Sequence, residues 1–214
     1  MPDPLRKTIS ATEASALFEV SPYTTKWMLY RRFAFGEEVY RDPNARMDWG
    51  LKLEPLIITQ AAEELKFDVK PNAGPDGKQV YVRNGLLGCT RDAEVYSPDR
   101  GPGACEVKCV FDYRTWMMDW NGGNKVPRQY EIQLQVQMKV GDGTKSFDWG
   151  VFAVWVAGDV HYFERKPIPK FWAALDTEAE AFFRDVQDRN EPEPFGVPPE
   201  YPLLNECFPI EEEK

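Results

Sequence analysis

Three charged side chains, Asp92, Glu106 and Lys108, have the types and the spacing that a cation-assisted hydrolytic site requires. Glu106 and Lys108 share one face of a predicted β-strand, because side chains two residues apart on a strand point the same way. Asp92 ends a neighbouring predicted strand, and a turn-rich segment separates it from Glu106. We therefore expect the two carboxylates to converge beside the lysine.

Two converging carboxylates repel each other unless a hard cation lies between them. Mg²⁺ prefers such oxygen ligands and completes its shell with water and substrate phosphate, so the pattern predicts a Mg²⁺ site in which Mn²⁺ substitutes. A nearby cation is expected to lower the pKa of Lys108, which then orients or deprotonates an attacking water. Metal and ammonium together favour hydrolysis of a phosphodiester. The alternative is an ordinary solvated Glu-x-Lys pair on a strand.

The chain of 214 residues, with 43% hydrophobic and 29% charged residues, is expected to form one globular domain over residues 1–190. Its proline-rich, acidic end, residues 191–214, is expected to lack regular structure and to pack on the body or on a neighbour. Neither a run of eighteen apolar residues nor an apolar N-terminal stretch occurs, which favours a soluble, cytoplasmic protein without membrane contact.

The net charge of −9 does not exclude a nucleic-acid partner, because the acidity is concentrated near the C-terminus. Residues 167–214 contain 12 acidic and 4 basic residues, whereas residues 1–166 are almost neutral. Such a body can still bind phosphates through a local basic patch. A single histidine, His161, excludes zinc sites built on several imidazoles, and the four cysteines lack a CxxC pair and are expected to be buried free thiols.

Hydrophobic periodicity and turn residues predict helices on either side of a β-rich middle. Ser10 and Glu13 have the spacing of a capping box and predict a helix from about residue 11. Because of Pro55, the helix over residues 45–66 either begins near Lys52 or kinks at Glu54. The other predicted elements are a helix over 22–34, an antiparallel meander over 79–83, 86–90, 93–96 and 105–111, helices over 127–140 and 169–188, and strands over 147–157 and 160–164.

In the order of its motifs, the chain resembles the PD-(D/E)XK nuclease superfamily, and in detail its lambda exonuclease and YqaJ-like viral recombinase branch. The resemblance extends over about residues 8–165. It implies an α/β fold with a central mixed sheet flanked by helices, and a metal site at one edge, where the Glu-x-Lys strand begins. The matching segments are Ile9-Ser-Ala-Thr12, Trp49-Gly50 with Glu54, Cys89-Thr-Arg-Asp92, Cys105-Glu-Val-Lys-Cys109 and Tyr130-Glu-Ile-Gln133-Leu-Gln135.

The resemblance also implies roles for residues of the site. The metal ligands would be Asp92, Glu106 and the backbone carbonyl of Val107. Glu54 would lie close to the metal and its water, and Lys108 would assist the nucleophile.

The helix that follows the Glu-x-Lys strand is rich in glutamine. By resemblance, Gln133 would help to hold the water or the phosphate near Lys108. For Gln135 and Gln137 we favour ordinary positions on the helix surface.

Further residues match, or lie near, the family's contacts to a DNA end. Thr12 and Thr90 match the hydroxyl positions of a pocket for a 5′ phosphate, and a hydroxyl can donate to a phosphate oxygen. The family's arginine of that pocket falls at Leu5, with Arg6 beside it as the nearest cation. Met47 matches an apolar residue that wedges into the duplex end, although a core methionine is an equal alternative.

Basic and aromatic residues elsewhere offer weaker signals. Four cations are candidates for gripping the DNA backbone or are ordinary surface charges: Arg31, Arg32, Lys125 and Arg128. Tryptophans at strand and helix spacing are more often core residues than stacking platforms, and we apply this interpretation to Trp49, Trp116, Trp120 and Trp149.

The resemblance implies a Mg²⁺-dependent exonuclease that degrades one strand of linear double-stranded DNA from 5′ to 3′ and leaves a 3′ overhang. It further implies a ring-shaped homotrimer and a single-strand annealing protein as partner in phage-type homologous recombination. The alternatives are a structure-specific endonuclease or RecB-like nuclease on the same fold, a non-catalytic DNA-binding protein, and a protein whose acidic tail is a docking strip.

Overall fold

The computed structural model describes residues 8–37, 44–70, 72, 79–197 and 200. None of the helices in this part of the chain is long and apolar enough to span a lipid bilayer. The described helices are α1 (Ala14–Leu17), α2 (Lys26–Phe35), α3 (Ala45–Leu65), α4 (Tyr113–Asp119), α5 (Arg128–Val140) and α6 (Pro169–Asp188).

A five-stranded mixed sheet forms the centre of the molecule and confirms the predicted fold class. The central pair, β6 (Gly101–Val110) and β7 (Gly150–Val156), is parallel, and every other neighbouring pair of this sheet is antiparallel. The apolar run in β7 is buried because helices cover both faces of the sheet. In spatial order the strands are β2 (Asp68–Lys70), β5 (Ala93–Ser97), β6 (Gly101–Val110), β7 (Gly150–Val156) and β8 (Asp159–Arg165).

A second, three-stranded sheet corrects the prediction of one continuous meander. It consists of β1 (Ile9–Ser10), β4 (Leu87–Cys89) and β3 (Val82–Asn84), in that spatial order. Among the strands of the predicted meander, only the pairs β3–β4 and β5–β6 are antiparallel neighbours, since the chain passes from the small sheet to the large one after β4. The start of β4 pairs instead with β1, in parallel and far away in sequence.

The long helix α3 begins at Ala45, earlier than the alternative start predicted near Lys52. Asn44 caps it, with Oδ1 accepting from the backbone N–H groups of Arg46 and Met47 at 3.0 and 3.1 Å. The helix runs through Pro55, so a start near Lys52 is wrong.

Helices α1 and α2, in contrast, begin a few residues later than predicted. Ser10 and Glu13 form the predicted capping box, since the Ser10 N–H donates to the Glu13 carboxylate at 2.9 Å, but residues 11–13 form a turn before α1. Before α2, the Ser21 hydroxyl accepts from the N–H groups of Tyr23 and Thr24 and forms a further turn.

Helices pack on both faces of the five-stranded sheet. Ile57 and Ala61 of α3 pack on one face, in a cluster with Cys105 and Val107. Leu134 and Met138 of α5 pack on the other face, in a cluster that also includes α4. The small sheet forms a third cluster with α1, α2, α5 and α6. The site strand β6 is therefore enclosed between α3 and α5.

One buried arginine, Arg91, joins the two sheets. It lies between β4 and β5 and is 3% exposed. Its guanidinium donates to the Gly141 carbonyl at the end of α5 and to the Glu94 carboxylate, and it lies 5.2 Å from the ring centroid of Phe147. The crossover between the sheets is thus tied to the end of α5.

Three of the cysteines confirm the prediction of free thiols packed behind the site. Cys89 and Cys105 are buried and Cys109 is half-buried. Burial raises the pKa of Cys89 and of Cys109 to about 11, so these thiols stay protonated at neutral pH. Cys207 lies outside the described residues.

Candidate active site

The register of β5 and β6 brings Asp92 beside Glu106. Ala93 pairs with Cys105 in this antiparallel ladder, so the residue before Ala93 lies across from the residue after Cys105. A hydrogen bond fixes the arrangement, since the backbone N–H of Val107 donates to Asp92 Oδ2 at 2.7 Å. The convergence of the two carboxylates thus follows from strand pairing and not from a flexible loop.

The site lies in an opening of the sheet between Asp92 and Glu106, which we call the notch, and not at the beginning of β6. β6 begins at Gly101 and continues to Val110, whereas β5 covers it only as far as Cys105. From Glu106 onward, β6 pairs with β7 alone, and its other side is open to Asp92. The predicted position where the Glu-x-Lys strand begins is therefore wrong, because β6 extends back from Glu106 to Gly101 and pairs there with β5.

Glu106 is a buried carboxylate with three side-chain donors. It is 2% exposed. Lys108 Nζ and Gln133 Nε2 both donate to Glu106 Oε1, the glutamine at 2.5 Å, and Gln137 Nε2 donates to Oε2 at 2.5 Å. Such a set of donors offsets the cost of burying a charged carboxylate.

Gln137 is a site residue that sequence reasoning missed. It is fully buried and contacts Glu106, so the favoured helix-surface position is wrong. A signal was present in its spacing from Gln133, because residues four apart on a helix share a face.

Gln135 is also buried, but its hydrogen bonds are to the backbone before α6 and not to Glu106. Its Nε2 donates to the Lys166 carbonyl at 2.9 Å and its Oε1 accepts from the Ile168 N–H at 3.1 Å. It therefore fixes the segment before α6 to α5, and the surface position is wrong here as well.

The notch has a strongly negative electrostatic environment. Burial, and then the charge of Glu106, raise the pKa of Asp92 well above its usual value. The same two causes, in the same order, raise the pKa of Glu54 on α3. Glu54 thus lies close enough to interact electrostatically with Glu106 and Lys108, as the resemblance implied.

The pKa of Lys108 is raised in this environment, whereas we expected it to be lowered. Burial alone lowers the pKa of its amine, but the charges of Glu106 and Asp92 outweigh burial and raise it. The carboxylates of the notch therefore keep Lys108 protonated. The predicted decrease in pKa requires a cation in the notch, whose charge opposes the carboxylates.

The donor set fits a hard divalent cation. No group of three or more His, Cys, Asp or Glu side chains suited to one metal ion occurs in the described part of the chain. Mg²⁺ is commonly held by only one or two carboxylates, with water and phosphate as the other ligands. Asp92 and Glu106 meet that need, and with the carbonyl of Val107 they could hold Mg²⁺ or Mn²⁺. Zinc, which prefers nitrogen and sulfur, is a poor match.

Thr12 and Thr90 lie at the same end of the small sheet. β1 and β4 are parallel with Ser10 opposite Gly88, and each threonine lies two residues beyond its member of that pair. Asp92 lies two residues beyond Thr90, so the candidate phosphate pocket adjoins the notch. Arg6, the nearest cation in sequence, lies outside the described residues.

Arg31 and Arg32 do not present available guanidinium groups to DNA. Arg31 pairs with Glu37 at 2.6 Å and with Glu191 at 3.1 Å, and Arg32 pairs with Glu13. Both side chains are less than one-fifth exposed. Carboxylates of the protein therefore already neutralise both guanidinium groups, which weakens the case for contacts between these arginines and DNA.

The start of α3 exposes apolar side chains beside the site. Met47 is 52% exposed and Trp49 is 55% exposed, so neither is a core residue. Our core interpretation of Trp49 is wrong, whereas the core interpretation of three other tryptophans is confirmed: Trp116, Trp120 and Trp149. Met47 lies on the same helix as Glu54, two turns earlier.

The proline-rich end begins with a contact to the body. Glu191 accepts from Trp27 Nε1 at 2.8 Å and pairs with Arg31. Phe195 is more than half exposed. Val197 is half-buried, and the apolar residues from Tyr201 onward lie outside the described residues.

Comparison with solved structures identifies the fold as that of lambda exonuclease-like nucleases. LHK-Exo in complex with dAMP has a TM-score of 0.64, with 18% identity over 95% of both chains. The alkaline exonuclease LHK-Exo from Laribacter hongkongensis has a TM-score of 0.62, with 17% identity over 94% of both chains. A phage related exonuclease from Haemophilus somnus 129PT has a TM-score of 0.62, with 12% identity over 85% of this chain and 94% of that chain.

Sequence comparison identifies the family. The model of the YqaJ-like viral recombinase domain matches residues 5–144, and the chain belongs to this family. No curated protein matches the sequence. The resemblance inferred from the motif order is confirmed.

Gln137→Ala is expected to weaken binding of Mn²⁺ about 10- to 100-fold, because loss of an outer-shell partner of a metal ligand has an effect of this size. The measurement is calorimetric titration of the purified protein with Mn²⁺. Gln135→Ala is the matched control, since it removes an equally buried glutamine of α5 that does not contact Glu106. An equal loss of affinity in both variants would show only a general effect on α5.

Asp92→Asn is expected to raise the melting temperature of the metal-free protein at neutral pH. The raised pKa of Asp92 means that its ionised form destabilises the fold, and that stability increases as the pH falls through that raised value. Each ~1 kcal/mol recovered raises the melting temperature by about 2–4 °C for a domain of this size. Thermal unfolding in EDTA across a range of pH measures the effect, with Asp148→Asn, an exposed carboxylate, as control. A lower melting temperature than wild type would contradict the argument.

Proposed function

We propose that the protein is a Mg²⁺-dependent exonuclease that degrades the 5′-ended strand of linear double-stranded DNA and leaves a 3′ overhang. The observation that carries the proposal is the convergence of Asp92 and Glu106 with Lys108 held against Glu106. Family membership and the fold support it, because the structural neighbours are described as exonucleases.

The side chains of the notch divide the work. Asp92, Glu106 and the Val107 carbonyl would hold Mg²⁺, which supplies positive charge for the phosphate and acidifies a bound water. Lys108, whose ammonium donates to Glu106, would supply further positive charge to the attacked phosphate. Gln133 shares Glu106 Oε1 with that ammonium and so holds the two groups in one geometry. Glu54, whose pKa burial raises, would be the carboxylate available to accept a proton beside that site.

The residues proposed to bind the DNA end support degradation from the 5′ end. Thr12 and Thr90 would donate hydroxyl hydrogen bonds to a terminal 5′ phosphate, with Arg6 as the nearest cation in sequence. Met47 would insert between the last base pairs and separate the strands, which its exposure permits. Exposed Lys125 and Arg128 at the start of α5 would contact the backbone.

The wider role follows from the family, which is described as a viral recombinase domain. The nuclease domain would comprise residues 1–190 and assemble as a homotrimer around DNA. A single-strand annealing protein would bind the 3′ overhang for phage-type recombination in the cytoplasm of the host cell.

Lys108→Ala is expected to reduce the rate of hydrolysis of linear duplex DNA about 10²- to 10³-fold, the usual range for loss of one group that stabilises transition-state charge. Asp92→Ala should abolish hydrolysis. The measurement is nucleotide release from linear duplex DNA in Mg²⁺ and in Mn²⁺. Lys139→Ala is the matched control, because Lys139 pairs with Asp176 on the outside of α5. A wild-type protein inert with both metals would contradict catalysis.

Duplexes labelled separately at each end test the polarity. We expect loss of the 5′ label first, faster digestion with a 5′ phosphate than with a 5′ hydroxyl, and no cutting of closed circular DNA. The combined variant Thr12→Ala and Thr90→Ala should remove the difference between phosphate and hydroxyl. Cutting of closed circles would instead indicate an endonuclease.

A further inference from the structure

A surface pocket lies next to the site, between the segment after α1, helix α4 and the start of α5. Its volume is about 430 Å³. This lies within the range of small-molecule sites and is far too small for a duplex. Residues that line it and bear on binding are Tyr23, Thr115, Asp119, Lys125, Arg128 and Tyr130.

One aromatic ring, that of Tyr130, connects the pocket to the notch. Lys108 Nζ lies 4.8 Å from the centroid of this ring. The Trp120 ring stacks on Tyr130, with the two ring centroids 5.6 Å apart. Tyr130 also hydrogen-bonds to Tyr23, and burial, followed by Tyr23, raises its pKa to about 12. A ligand in the pocket is therefore separated from Lys108 by a single, firmly held ring.

The chemistry of the lining suits a nucleotide. Lys125 and Arg128 are exposed and make no ion pair with any other described residue, in contrast to Arg31 and Arg32. Asp119 is the one acidic residue of the lining, so positive charge remains in excess. Tyr23 is 49% exposed and offers an aromatic surface. Cations beside an exposed aromatic ring are the combination that binds a single strand without sequence preference.

We propose that this pocket binds one unpaired nucleotide of the cleaved strand, with its base against Tyr23 and its phosphate between Lys125 and Arg128. The proposal rests on the proposed function, because it assigns the pocket to the strand that is cut at the adjoining notch. It gives Lys125 and Arg128 a common ligand in place of separate contacts to the DNA backbone. The pocket is lined by a different part of the chain from Thr12 and Thr90.

Binding of a single strand tests the proposal without requiring hydrolysis. The probe is fluorescently labelled oligothymidylate of eight nucleotides, followed by anisotropy in EDTA. The combined variant Lys125→Ala and Arg128→Ala should bind at least about tenfold more weakly and show a smaller salt dependence, by about 1.4 in the logarithmic slope for two lost phosphate contacts. Tyr23→Ala should also weaken binding, whereas Tyr23→Phe should retain it because its ring remains.

The control variant is Arg184→Ala, which removes an exposed arginine on α6 and should leave binding unchanged. Affinity of the double variant equal to that of Arg184→Ala would overturn the proposal. Competition defines the ligand: displacement by thymidine monophosphate at lower concentration than by inorganic phosphate supports a nucleotide site, and equal displacement shows an anion site and overturns it. Wild-type protein that binds the strand but cuts no linear duplex would contradict the proposed function alone.

Discussion

The site depends on one buried carboxylate, Glu106, and on the donors that keep it stable inside the protein. A carboxylate at 2% exposure is very costly to bury unless its oxygens are hydrogen-bonded. Two of its three side-chain donors come from α5 and one comes from its own strand. The packing of α5 on the sheet and the electrostatics of the notch are therefore two aspects of the same interaction.

Asp92 has a less compensated environment, and this difference has a functional meaning. Its carboxylate accepts a hydrogen bond from the Val107 N–H, while burial and the charges of Glu106 and Glu54 raise its pKa. A site that tolerates such repulsion sacrifices stability for a binding capacity that only a cation fulfils. Under the proposed function, the metal relieves the repulsion when it binds.

The sequence was most informative where the pattern was local and continuous. The periodicity of residues 169–188 predicted α6 with its observed bounds, and the apolar run of β7 with its short turn predicted the β7–β8 pair. Strand β1 has two residues and depends on a partner far along the chain, so no local pattern marks it. The division into two sheets at Arg91 was hidden for the same reason, since neighbouring strands usually pair in one sheet.

Some site residues could be predicted from the sequence, and others could not. Strand periodicity placed Glu106 and Lys108 on one face, and the motif order placed Asp92 beside them. Sequence cannot reveal which charges are already paired, and for this reason Arg31 appeared available although it contacts Glu37 and Glu191. Buried glutamines are equally hard to recognise, because their amides satisfy hydrogen bonds that only the folded structure supplies.

The joint at Arg91 has a consequence for the size of the product. Thr90 and Asp92 flank this buried arginine on a short stretch of backbone, which is fixed to the end of α5 and to Glu94. If Thr90 binds the end of a DNA strand and Asp92 helps to hydrolyse that strand, the rigid backbone from Thr90 to Asp92 fixes the distance between the bound end and the hydrolysed bond. Under the proposed function, this fixed separation would give the released fragments a constant length.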